Sequence, residues 1–115
     1  MHEPWTREPD LERLRHVYNL QATNPVDALV ELKHLASRGS IMSMTYVGEA
    51  YRSGIGTAKD LTQAAEWFQR AANEGYIVAS YKLGKVCQEL NQHSRASEAF
   101  ALGAAGQHLP SIYIC

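Results

Sequence analysis

The sequence predicts an all-α fold: a right-handed superhelical α-solenoid of stacked antiparallel helix pairs, about seven helices in all. Three observations carry that prediction. GSIMSMTYVG, residues 39–48, recurs as GYIVASYKLG, residues 75–84, at an offset of 36 residues, and a fixed period of this size marks repeat architectures. After Asp60 the apolar residues fall at Leu61, Ala64, Ala65, Phe68, Ala71 and Ala72, a single stripe at the helical period. Small residues, Gly48, Gly84, Ala71, Ala72 and Ala104, recur where two helix axes must approach to roughly 8 Å. No segment alternates as a strand would.

The elements follow in order along a single domain of 115 residues. Residues 1–8 read as a flexible N-terminus. Residues 9–39 form the first helix pair. Its first helix begins at Pro9 or Asp10 and is expected to bury Leu11, Leu14, Val17 and Tyr18. Its second starts with Asn24 as cap and Pro25 as first helical residue. Residues 40–75 form a full unit, whose second helix is capped by Asp60 with Gln63 at the third helical position and ended by Gly75 in a left-handed conformation. Residues 76–106 form a degenerate second unit. ASEAFALGAAG, ending at Gly106, repeats the alanine and aromatic pattern with Ala96, Phe100 and Ala104 in the roles of Ala64, Phe68 and Ala72. Residues 107–115 read as a partial C-terminal helix.

Composition bounds the function. Eleven basic and twelve acidic residues leave a net charge of −1, so there is no basic excess to neutralise nucleic-acid phosphates. The start, MHEPWTREPD, lacks the apolar core of a signal peptide, and no run is long enough to span a membrane. A cytoplasmic protein is expected, with neither nucleic acid nor membrane as partner. Cys87 lies in an apolar helical pattern and reads as a small core residue, while Cys115 has no evident partner.

YRSGIGTAKD, residues 51–60, invites comparison with a phosphate-binding loop. Such a loop follows a strand and ends in a lysine and a hydroxyl residue. This one follows a helix, has no Gly-Lys-Ser/Thr ending, and its G-x-G lacks the third glycine. Gly54 and Gly56 are therefore expected to take positive φ between two helices, with Asp60 capping the second.

The same residues carry a family resemblance. Tyr51, Gly54, Gly56 and Asp60, then Ala64, Trp67, Phe68, Ala71, Ala72 and Gly75, preceded by Val47 and Gly48, resemble the SEL-one-like repeat over about residues 40–75. In the following unit Ala79, Leu83 and Gly84 continue the likeness, whereas the linker QELNQHSR lacks both glycines and the aspartate and resembles a tetratricopeptide linker. The first pair, joined by only Thr23 and Asn24, also departs from the pattern. The resemblance implies a superhelical scaffold that binds other proteins without chemistry of its own.

A search for chemistry agrees with a non-enzymatic reading. The histidines, at 2, 16, 34, 93 and 108, show no metal-ligand spacing, and His16 and His34 read as solvated. There is no nucleophile-elbow motif, and the carboxylates are scattered. No catalytic residue, metal or cofactor is expected. The function expected is a scaffold or adaptor that binds a peptide or helix of another protein on its concave face. The alternatives are a self-associating structural module, a piece of a longer repeat protein, or an accessory subunit of an enzyme.

In helical-pair solenoids the first helix of each unit lines the concave face. On the helix from Ser40, the core stripe is expected at Ser43, Val47, Gly48 and Tyr51, beside an accessible stripe of Met42, Tyr46 and Glu49. The next unit places Val78, Lys82 and Lys85 there. These six residues are the expected partner-binding set, a groove of mixed charge suited to a segment with an acidic flank. Trp67 reads as a packing residue between units. Leu109, Ile112 and Tyr113, with no partner helix, are the expected self-association set for a homodimer formed through the C-terminal end.

Overall fold

Asp and Asn side chains at the expected starts accept hydrogen bonds from backbone N–H groups three residues on, and they set the helix boundaries. In a computed structural model that describes residues 8–107, six helices follow one another: α1 (Leu11–Leu20), α2 (Pro25–Ser37), α3 (Ile41–Ser53), α4 (Leu61–Asn73), α5 (Ile77–Glu89) and α6 (His93–Gln107). Asp10 caps α1 through the Arg13 N–H at 3.0 Å. Asn24 caps α2 through the Asp27 N–H and donates its amide back to the Asp27 carboxylate at 2.7 Å. Ser40 caps α3 through the Ser43 N–H at 3.1 Å, and Asp60 caps α4 through the Gln63 N–H at 3.1 Å. In α5, Tyr76 stands where Ser40 stood and supplies no side-chain cap. There is no strand among the described residues. The seventh helix expected over 107–115 lies outside them, except that Gln107 closes α6.

Each helix packs mainly on the helices before and after it in the chain, the arrangement of an α-solenoid. Three clusters form the core. Leu14 and Val17 of α1 meet Ala28, Leu29, Leu32 and Leu35 of α2 and Val47 and Ala50 of α3. Ala64, Ala65 and Phe68 of α4 meet Leu83, Val86 and Cys87 of α5 and Ala96, Ala99 and Phe100 of α6. Ile41, Ala71, Ala72 and Ala79 close the seam between α3, α4 and α5. Trp67 reaches from α4 to the first cluster with the Arg70 guanidinium 4.5 Å from its ring centre. Cys87 is fully buried, and burial raises its thiol pKa even though Arg95 acts in the opposite direction, so it is a packing residue.

Glycine sets two distances that no other residue allows. A Cβ on Gly48 would lie 2.6 Å from the Phe68 ring, and one on Gly84 would lie 2.5 Å from the Phe100 ring. Each glycine thus receives the face of the phenylalanine on the next helix. The α3–α4 loop makes a third close approach. Gly54 and Gly56 have φ of 72° and 77°, and a Cβ on Gly56 would lie 2.4 Å from the Pro25 carbonyl oxygen. The loop therefore rests on the first turn of α2. In the shorter α5–α6 linker Asn91 takes the left-handed conformation, with φ of 62°. Asparagine tolerates that region better than most residues.

Two sequence expectations are corrected. Leu11 and Tyr18 are not core residues: they remain 39% and 51% exposed, because no helix lies outside α1 to cover them among the described residues. Glu8, grouped with the flexible start, is held in place. Its carboxylate accepts from the Ser40 hydroxyl and from the Met42 N–H, adding negative charge at the N-terminus of α3 where the helix dipole favours it.

Gly48→Ala is expected to destabilise the chain by about 1–2 kcal/mol, overpacking outweighing the better helix propensity of alanine. In a Phe68→Leu background the same change should be neutral or stabilising, as a urea-unfolding double-mutant cycle would show. Gly56→Ala should cost more than Gly39→Ala. Both positions have positive φ, but a Cβ on Gly39 meets nothing within 4 Å. Equal unfolding midpoints for the two variants would contradict the loop's seat on α2.

Candidate interaction surface

Side chains bridge α1 to α3 and α3 to α5, so the three odd-numbered helices share one layer. Between α3 and α5 the bridges are ion pairs. Lys82 donates to the Glu49 carboxylate at 2.5 Å, and Arg52 donates through Nε and Nη2 to one oxygen of Glu89, at 3.1 and 2.8 Å. The mixed-charge groove expected from Glu49 and two lysines is therefore bridged: Glu49 and Lys82 are half-buried against each other. Lys85 is exposed one turn on, and Val78 is 43% exposed one turn before Lys82.

Between α1 and α3 the bridge is aromatic and leaves an opening. The Tyr18 and Tyr46 rings lie 5.1 Å apart, inclined at 50°. Beside them a cleft of about 190 Å³ is lined by Leu11, Leu14, Arg15, Tyr18, Met42 and Tyr46. The α1 contributors sit at i, i+3, i+4 and i+7, one face of that helix. Two of the six residues expected to bind a partner, Met42 and Tyr46, thus line this cleft. Glu49 and Lys82 form the neighbouring bridge, and Val78 and Lys85 stand free on α5. Sequence reasoning missed Leu11 and Tyr18 as surface residues and did not place Arg15 in the site. Their spacing identifies the face of α1 but not whether another element covers it.

Burial raises the Tyr46 phenol pKa above its ordinary value, and the nearby Tyr18, Tyr76 and Glu8 act in the same direction. Burial also raises that of Tyr76. Both hydroxyls therefore stay neutral donors throughout the physiological range. A second opening, of about 200 Å³, lies among Gln69 of α4, Leu83 of α5 and Arg95, Glu98, Ala99 and Leu102 of α6 and is more polar. Among the described residues, no group of three or more His, Cys, Asp or Glu is placed to hold a metal ion. No helix there is long and apolar enough to cross a membrane.

Consecutive helix pairs with one layer of first helices and one of second helices define a helical-repeat protein. The central pair identifies the repeat: residues 41–76 match the family model of the Sel1 repeat. The matched stretch spans α3, the glycine loop, α4 and the turn into α5, about a third of the chain. This match supports a protein-interaction repeat module in general. No solved structure matches the chain.

The tyrosines make a test in alkali. Their folded pKa values lie above that of the free phenol, near 10. The stability they contribute is complete below that pH and is lost as the pH rises through the folded values. Tyr46→Phe combined with Tyr76→Phe should therefore flatten the fall in urea midpoint above about pH 10 relative to the parent chain.

Proposed function

We propose that the protein is a non-enzymatic scaffold that holds a peptide or helix of another protein on the face formed by α1, α3 and α5, the concave face of the solenoid. One observation carries this reading: an aromatic and methionine cleft opens on that layer with exposed apolar residues beside it, although Val26 and Val30 of α2 and Leu102 of α6 are exposed as well. Leu11 and Tyr18 on α1 and Val78 on α5 flank the half-buried Met42 and Tyr46 on α3. Exposed apolar groups gathered in one region mark interaction sites, and aromatic and methionine side chains are enriched in them. The ion-paired strip between α3 and α5 supplies a polar border. The Sel1 repeat at the centre supports the same reading.

Photocrosslinking tests it. A photoreactive residue in place of Val78 should trap a protein from native lysate, while one in place of Glu66, exposed on α4, should not. Equal labelling from both positions, or from neither, would refute the assignment of the face. Lys82→Ala breaks only a partly exposed ion pair, which is worth about 0–1 kcal/mol. It should lower trapping from position 78 and leave the melting temperature nearly unchanged.

A further inference from the structure

We infer that the cleft between α1 and α3 receives one bulky aliphatic or aromatic side chain from a partner segment that also carries an aspartate or glutamate, whose carboxylate pairs with Arg15. This names the partner chemistry of the face described above and rests on that reading.

The size of the cleft limits its occupant. At about 190 Å³ it falls below the roughly 300–1,000 Å³ of small-molecule sites, and it suits a single anchoring side chain. Leu14 is buried beneath it, Leu11, Met42 and the two tyrosine rings supply apolar contact, and Arg15 is the only charged residue in the lining among the described residues. The surrounding charges determine what Arg15 can attract. Glu49 is taken by Lys82, Glu89 by Arg52 and Glu31 by Arg13. Glu8 is taken by the Ser40 hydroxyl and the Met42 N–H, and Asp10 caps α1. Glu12 is exposed outside the lining. Arg15 makes no ion pair among the described residues, and neither does Lys85. The carboxylates bordering this layer are thus largely satisfied, and its unpaired cations call for an acidic partner. Arginine suits the task because its planar fork pairs with both oxygens of a carboxylate. An amphipathic helix laid in the groove would present an apolar anchor and an acidic residue on one face.

The test selects short random peptides displayed against the full chain. Enriched sequences should combine Leu, Ile, Phe or Trp with Asp or Glu within one helical turn. Arg15→Glu should weaken the best such peptide roughly tenfold or more, and replacing its acidic residue with lysine should restore binding to that variant. Tyr18→Ser, at an exposed position, should weaken both forms of the peptide alike. Circular dichroism of each variant separates lost binding from lost fold. Enriched peptides without an acidic residue, or affinity indifferent to Arg15→Glu, would overturn the inference. So would peptide binding that appears only after residues 1–7 are removed, which would make the chain's own start the occupant. Concentration-dependent dimerisation abolished by Tyr18→Ser would also overturn it, because a second copy offers Val26 and Val30 beside Asp27. If position 78 still traps a protein while these peptides fail, the scaffold reading stands and only the assignment of the cleft falls.

Discussion

The architecture depends on a phenylalanine ring lying on a glycine. In each of the last two hairpins the ring is buried and occupies the space where the facing helix would otherwise carry a Cβ. This contact sets the closest approach of the helices, and the alanines around it fill what remains. Gly48 and Phe68 are twenty residues apart, Gly84 and Phe100 only sixteen. The difference of four matches the linkers, seven residues between α3 and α4 against three between α5 and α6. The loop changed length by four residues, about one helical turn, and the ring kept its place on the glycine. A different length change would have turned the ring away from the seam. The repeat is thus conserved as a contact within this chain even where its loop sequence has diverged.

This contact also divides the labour between the two layers. The even-numbered helices present Ala, Leu and Phe inward and hold most of the core. The odd-numbered helices give one flank to that core and keep another for the surface, where tyrosines, a methionine and ion pairs collect. Glu49 with Lys82 and Arg52 with Glu89 act as rungs between successive first helices. Their net contribution to stability is small because they are partly solvated, but they fix which stretch of the layer is bridged by charge and which stays open. The opening falls between α1 and α3, where aromatic rings meet and no ion pair forms.

Much of the fold was legible in the sequence because helices announce themselves locally. Asn24 and Asp60 precede apolar stripes at helical spacing, and Gly54, Gly56 and Gly75 stand where the chain must turn with positive φ. All five take the expected roles. What was not legible depends on neighbours. The stripe of Leu11, Leu14, Val17 and Tyr18 is real, yet only its middle is covered, since periodicity reports the face of a helix and not the extent of what packs on it. The pairing of Glu49 with Lys82 depends on the register between two helices, and the anchoring of Glu8 depends on where the chain enters α3. Asn91 could have been read as a left-handed residue in a linker without glycine, since asparagine is the usual substitute.

The seat of Gly56 on the Pro25 carbonyl has a mechanical consequence. The first two hairpins meet there main chain to main chain, with no side chain between them to yield or change rotamer. The angle between them is set by atoms that substitution cannot soften. The three-residue link at Asn91 is too short to reach back to the preceding hairpin in that way. Stiffness should therefore be graded along the array, firm at the junction of the first two units and more compliant toward the third. A ligand resting on α1 and α3 would meet a rigid platform, while any adaptation in curvature would come from α5 and α6.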